Sequence, residues 1–389
     1  MAADPDGNPF LPILTEGLAR RLAEGAFTHV GLSVNYLSQA LTAFALAGHL
    51  RRTAPGLRLA MGGGLITSWL ARHASFSPLT APGGPFAGLV DLLVSGPGEA
   101  ALAAWLGATP VGDTPAAWSY AFDGLPLADY LSPGLVLPFS LAHGCFWATC
   151  SFCPETVEAG GYRSLPPSLA VGRVQALVER HSPALVHFLD DAISPAVLRE
   201  LARKGVGAPW YGFARFDTPL DDPGACRALA RQGCVMLQLG LESGDQAVLD
   251  ALRKGIRLET ASRILYNLRE VGIGTYVYLL FGTPAENVDA AHRTLRFVAD
   301  HAGAIDFLNA AIFNLPQAAP EARDLPTRPF SQGDLGLYLE FAHPLGWNRG
   351  EVRRFLDTAF RRHPAIAPIL RRDPPAFTSS HAPFFLPRP

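Results

Sequence analysis

The sequence predicts an α/β protein in two parts: an amino-terminal, three-stranded doubly wound sheet, then a six-stranded partial (β/α)6 barrel of the TIM type with a helical carboxy-terminal extension. Three observations predict it. Short apolar runs bounded by Gly and Pro alternate along the chain with segments of helical period. The later runs are apolar on both faces, as strands buried between helices are. A stretch rich in Pro, Gly and Asp, residues 107–133, carries the breakers "TPVGDTPAAW" and "FDGLPLADYLSPG" and divides the first three runs from the next six. At 389 residues the chain has length for two or three domains. The expected boundaries are 1–106 for the sheet domain, 107–133 for the linker, 134–319 for the barrel and 320–389 for the extension.

Before the linker, "THVGLSV" reads as a strand, Leu37 to Arg52 as a helix, "LRLAMGG" as a second strand, then a loop with a short helix, "VDLLVSG" as a third strand and a helix from Gly98. In sheets of this kind ligands sit beyond the carboxyl ends of the strands, here near Ser33, residues 62–64 and residues 96–99. After the linker the strands are "GLVLPFSLA", "ALVHFLDD", "PWYGFAR", "CVMLQLGLESG", "GTYVYLLFG" and "IDFLNAAIFN". Helices are expected between them near 167–181, 194–204, 222–232, 246–253, 259–271 and 288–302. Barrel chemistry gathers at strand ends. There stand three cysteines after the first strand, Asp190 and Asp191 after the second, Arg215 and Asp217 after the third, Glu242 after the fourth, and Gly282 and Glu286 after the fifth. The segment 336–372 reads as two helices with a basic face, and residues 373–389 show no regular pattern.

Composition narrows the class. Hydrophobic residues are 49% and charged ones 17%, with 38 Gly and 34 Pro spread as punctuation, which describes a well-buried globular protein. The net charge is -2 and no Lys/Arg block could track a phosphate backbone, so nucleic acid is not an expected partner. No basic-then-apolar leader and no membrane-length apolar stretch is visible, and a cytoplasmic location without membrane association is expected. Five cysteines, three of them clustered, point in a reducing compartment to a metal site more than to disulfides.

The cluster lies in "FSLAHGCFWATCSFCPE", where Cys145, Cys150 and Cys153 fall within nine residues. Thiolates are soft ligands for zinc or iron–sulfur clusters. A structural zinc needs four ligands, and no second Cys/His pair lies at short range; His143, two residues before Cys145, would be a cramped fourth. Three thiolates on a four-iron cluster would leave one iron open to a small molecule. Both metals remain in play from spacing alone.

The cysteine triad after the first barrel strand, with Phe152 just before the last thiol, resembles the radical S-adenosylmethionine (SAM) superfamily, and "GCFWATCSFC" is similar to the variant in members with a cobalamin-type amino-terminal domain. The resemblance implies a 4Fe-4S cluster on Cys145, Cys150 and Cys153, whose open iron chelates the amino and carboxyl groups of SAM. The cluster's electron then cleaves SAM to methionine and a 5'-deoxyadenosyl radical. "FLDDAIS" resembles the second-strand segment near the SAM amino group, which makes Asp190 and Asp191 candidates. "YGFARFDT" makes Arg215 a carboxylate partner, "LQLGLESGDQAVLDALRKG" brings in Glu242 and Ser243, and "YLLFGTPAEN" sets Gly282 beside adenine together with Phe152.

Residues 30–68 and 90–102 resemble the later part of the cobalamin-binding domain, with Ser33, Leu37, Gly62 and Gly63 at its nucleotide-tail positions. The sequence departs from the pattern in three places. The first cysteine gap is one residue longer than the commonest spacing, Tyr278 replaces a glycine, and the Asp-x-His-x-x-Gly segment that ligates cobalt is missing. Cobalamin is thus a further cofactor the resemblance admits, bound without a protein histidine, or else the domain serves packing alone. A flavodoxin- or ferredoxin-type reductant and a small-molecule or peptide substrate are implied. Methyl transfer follows if cobalamin binds, hydrogen abstraction leading to rearrangement or coupling if it does not. No residue acting on the substrate is singled out.

Structural alternatives stand beside these roles. Asp190 or Asp191 would equally cap the helix near Pro195, Arg215 would pair with Asp217, and Glu242 would be a solvated or salt-bridged carboxylate at a helix start. Cys226 and Cys234 read as core thiols. The competing function is a zinc- or cluster-bearing binding protein without catalysis.

Overall fold

The computed structural model describes residues 1–71, 77–109, 120–158, 161–330, 335–374 and 381–385. The chain forms two compact units, Met1–Ala117 with Pro316–Ala322 and Arg328–Glu340, and Trp118–Leu315 with Arg323–Thr327 and Phe341–Pro389. Part of the expected linker, residues 110–119, lies outside the described residues.

In the first unit, β1 (His29–Ser33), β2 (Arg58–Gly62) and β3 (Leu92–Leu93) pair in parallel in that order. The order follows the chain, so no reversal of strand order falls among these three. A helix over Leu11–Ala23 precedes the sheet, and the crossover helix Leu37–Thr53 buries Ala40, Ala47 and Leu50 against Leu59, Met61, Trp69 and Phe86. Arg51 fastens that helix to the sheet. Its guanidinium donates to Leu89 O, Leu57 O and Asp91 Oδ2, and Asp91 in turn accepts the Leu59 amide at 2.6 Å. Gly63, at φ +102°, admits no side chain, because a Cβ would fall 2.6 Å from Val34 O and 2.8 Å from Asn35 Oδ1.

The second unit carries β4 (Val136–Phe139), β5 (Leu185–Phe188), β6 (Trp210–Ala214), β7 (Cys234–Glu242), β8 (Gly274–Phe281) and β9 (Phe307–Ile312). They form one parallel sheet in chain order, with β4 and β9 as its edges. This is the expected six-stranded partial barrel. Helices over Pro167–His181, Pro195–Lys204, Pro223–Arg231, Leu258–Glu270 and Val288–Asp300 cross between the strands. Their starts are written locally: Pro occupies the first helical position of three, and Ser194, Asp222 and Asn287 accept amides of the first turn. Ser194, and neither Asp190 nor Asp191, caps the helix at Pro195.

Alternate residues of each strand face opposite sides. Phe188, Trp210, Leu237, Leu239, Val277, Phe281 and Leu308 pack with the helices, whereas Leu185, Tyr211, Met236, Tyr276 and Phe307 form a separate inner cluster. That inner cluster meets Phe385, and His381 is buried against Tyr276 and Phe307 with Nε2 3.1 Å from Asp373 Oδ1. His381 and Phe385, in the unpatterned end of the chain, thus pack on the base of the barrel. In the preceding segment, one expectation fails. Tyr338–Phe341 is a strand, and helix begins only at Arg349, after Asn348 closes a capping box with Glu351.

Candidate functional site

The cysteine loop leaves the carboxyl end of β4 and turns through left-handed Gly144 (φ 71°) and Ala148 (φ 45°). Its seat is the turn that follows the short helix Gln246–Ala251. Three successive carbonyls there accept donors: Leu252 O from the Ser151 amide at 3.1 Å, Arg253 O from Trp147 Nε1 at 3.0 Å, and Lys254 O from the Arg215 guanidinium. Trp147 lies flat on Gly255, where a Cβ would come within 2.1 Å of its ring and φ is +68°. The Arg215 guanidinium stands 4.3 Å from the centroid of the same indole.

Two cations are therefore buried beside the thiols. Arg215 is 5% and Lys254 8% exposed. Lys254 Nζ lies 2.8 Å from Glu242 Oε1 and 5.9 Å from the centre of the Phe152 ring. Glu242 ends β7 in a left-handed conformation (φ 67°), after a register shift that sets Leu279 opposite Glu242 directly after Tyr278 opposite Gly240. Gly240 makes room for the pair: a Cβ would fall 2.7 Å from Glu242 Oε1 and 2.9 Å from Lys254 Nζ. Glu242 is thus a largely buried carboxylate, salt-bridged as its structural alternative has it.

Three sulfur donors on one loop suit a soft metal centre. Burial pushes Cys150 up, while Lys254 and Arg215 pull it back; burial pushes Cys153 up to about 12. Thiols held this far toward the protonated form become thiolates when a metal displaces the protons. Among the described residues no three His, Cys, Asp or Glu side chains converge as ligands of one ion do. Ligands of a cluster bind separate irons and stand farther apart. Cys226 and Cys234 are buried core thiols, as expected.

The other expected residues divide. Asp191 hydrogen-bonds Glu155, whose carboxyl is pushed up to about 7 by burial and by Asp191 and Glu158, at the foot of the cysteine loop. Asp190 is buried and accepts the Leu141 amide at 2.9 Å, so it fastens the loop entry; burial raises it to about 6 against those amide contacts. Ser243 has no exposed surface: its hydroxyl meets Thr294 Oγ1 and accepts the Asp245 amide, so it shapes the turn after β7 and does not line the site. Arg215 Nε is 3.5 Å from Asp217 Oδ2, the alternative pairing, while the rest of its guanidinium serves Trp147 and Lys254 O.

Phe152 packs on Val248, Leu252 and Ala290. Gly282 (φ +81°) gives its amide to buried Glu286 at 2.5 Å, and Glu286 also accepts Trp347 Nε1. Ser33, Gly62 and Gly63 lie at strand ends of the first unit. The sequence reading missed Lys254 and Trp147, whose contacts lie 12 and 106 residues away along the chain.

The profile of the Radical SAM superfamily matches residues 139–298. The anaerobic magnesium-protoporphyrin IX monomethyl ester cyclase of Rubrivivax gelatinosus is 25% identical over 169 residues, 41% of this chain and 30% of that protein. The bacteriochlorophyllide d C-12(1)-methyltransferase of Chlorobaculum tepidum is 26% identical over 193 residues, 48% of this chain and 41% of that protein. The matched regions are thus less than half the length of these relatives.

Among solved structures, the radical SAM methyltransferase TsrM from Kitasatospora setae, with tryptophan substrate and aza-SAM, superposes with a TM-score of 0.59 at 18% identity, over 87% of this chain and 74% of that one. The cobalamin-dependent SAM radical enzyme OxsB with aqua-cobalamin gives 0.53 at 15% identity, over 76% and 46%. These two share the fold. The stretch 139–298 of this chain, which carries the thiol loop and most of the partial barrel, is thus similar to the Radical SAM superfamily.

Proposed function

We propose that the protein cleaves SAM reductively at a 4Fe-4S cluster and directs the resulting radical chemistry to methyl transfer onto a carbon of a small molecule, with cobalamin as second cofactor. The observation that carries this reading is the three-thiol loop seated on the turn after Ala251, with buried Arg215 and Lys254 against its Trp147 and Phe152. The cluster, when bound, supplies the electron that breaks the carbon–sulfur bond of SAM. Cys145, Cys150 and Cys153 hold it. Arg215 and Lys254 place fixed positive charge beside it in a poorly hydrated setting, where such charge is strongest. Glu242 would help hold the SAM tail, Arg215 its carboxylate, and Phe152 and the Gly282 turn would flank adenine, with Asp191 toward the SAM amino group.

Support for methyl transfer comes from the names of the relatives and from the TsrM-like fold. Support for cobalamin comes from the parallel sheet of the first unit, where Ser33, Gly62 and Gly63 offer a strand-end site. A flavodoxin or ferredoxin serves as reductant. Anaerobic reconstitution with iron and sulfide should give thiolate-to-iron absorbance near ~400 nm, and dithionite with SAM should then give 5'-deoxyadenosine by mass spectrometry. Both should vanish in the Cys145/Cys150/Cys153→Ala variant. A colourless protein that takes up zinc and leaves SAM intact would overturn the reading. Added hydroxocobalamin should be retained through gel filtration.

A further inference from the structure

A cavity of about 940 Å³ lies under the edge strand β4, within the size range of small-molecule sites. Its walls come from residues 122–138, from His181, and from His187 of β5 and Tyr211 of β6. None of its 15 lining residues is Asp, Glu, Lys or Arg. It belongs to the amino-terminal ends of the strands: Gly134 and Leu135 precede β4, His181 ends the helix before β5, and Tyr211 is the second residue of β6. The cysteines, Arg215 and Glu242 stand at the opposite ends of the strands.

Two features give the ligand its chemistry. At the inner end the rings of His187 and Tyr211 stack, with centroids 4.1 Å apart and planes 9° from parallel. Burial holds His187 down to about 4, so this stack is neutral, and the other imidazole of the wall, His181, already lies 4.0 Å from Asp123 Oδ1, so a charged ligand finds little to replace the hydration it would lose. At the mouth stand Leu125, Tyr130 and Leu131, 45%, 57% and 93% exposed, an apolar rim of the kind that marks a binding site.

We infer that this cavity binds an uncharged, planar aromatic molecule, which extends the Tyr211–His187 stack at a site separate from that of SAM. Flat rings gain from offset stacking beyond the area they bury. A carboxylate or sulfonate on the same frame would enter without a counter-charge. The site needs neither the cluster nor the radical reading.

The test uses the full-length protein and two dyes of one frame, neutral N-phenyl-1-naphthylamine and its sulfonated counterpart 1-anilinonaphthalene-8-sulfonate. Fluorescence titration should show one saturable site for the neutral dye and at least ten-fold weaker binding of the sulfonate. Ala128→Trp, which fills the cavity, and Leu131→Glu, which charges its exposed rim, should each weaken the neutral dye at least ten-fold with unchanged circular dichroism. Leu131→Glu keeps the test open where Ala128→Trp does not fold. Equal affinity for both dyes, or neutral-dye binding unmoved in either folded variant, overturns the proposal. Retained dye binding in the triple Cys→Ala variant separates this site from the fate of the cluster.

Discussion

Lys254 Nζ lies 2.8 Å from Glu242 Oε1, and the two side chains are only 10% and 13% exposed. A pair this enclosed is a liability if broken. Removing one partner strands the other charge, at roughly 3 kcal/mol, whereas replacing both by apolar groups is often near neutral. Lys254→Met should therefore lower the denaturation midpoint sharply, and Lys254→Met/Glu242→Leu should recover much of the loss. Urea titration of the four forms of the cycle reads the coupling. Additive losses would show that the two charges do not support each other.

The five thiols should separate by role. Cys150→Ala should lose the iron and the absorbance near ~400 nm, with little change in unfolding free energy of the metal-free chain. Cys226→Ala should keep full iron content but lose about 1 kcal/mol of stability, because its thiol is fully buried in the helix-facing core. Iron analysis and urea unfolding on the same preparations decide it.

Gly255→Ala should disturb the seat of the loop. The residue holds φ +68°, costing about 1 kcal/mol for a side chain, and its Cβ would meet the Trp147 ring. Trp147 must move, and with it the indole that Arg215 stacks on. A lower melting temperature together with reduced iron per chain is expected. A fall in melting temperature with full iron loading would place the strain outside the cluster site.

Glu286 gives a pH signature. Burial raises its carboxyl to about 7, against the pull of the Gly282 amide and Trp347. A carboxyl raised on folding binds its proton more tightly in the folded chain, so its contribution is full below the unfolded value of about 4.5 and is lost as pH rises through about 7. Glu286→Gln removes that loss. Relative to wild type, the variant should gain stability progressively between about pH 4.5 and 7, measured by urea unfolding across that range. A constant difference would show that Glu286 does not titrate there.

The barrel was legible because its signals are local. The helix expected at 167–181 is the helix found, and the others fall within two residues of their expected bounds. Tyr338–Phe341 was misread because its apolar residues join smoothly to the helical period that follows, and a strand's partners are not visible in its own residues. The helix Leu11–Ala23 went unread beside the Pro- and Gly-broken residues that precede it. Lys254 comes directly after the helix expected at 246–253 and carries no signal of its own. Only the return of that turn to β7 brings its ammonium to Glu242. Asp190 and Ser243 carry the right chemistry at the right strand ends, yet backbone amides and Thr294 already engage them. Which of two adjacent polar groups turns inward depends on the neighbouring loop, and the linear pattern does not hold that.

The indole of Trp147 finds its carbonyl 106 residues farther along the chain. During synthesis, at 5–20 residues per second, that interval lasts roughly 5–20 s. For most of it the three thiols are already made, without the turn that seats them or the Lys254 ammonium that lies near Cys150. Maturation is thereby given an order: iron delivered to the nascent loop meets a flexible peptide, and iron delivered after β7 and its following turn have docked meets a finished socket.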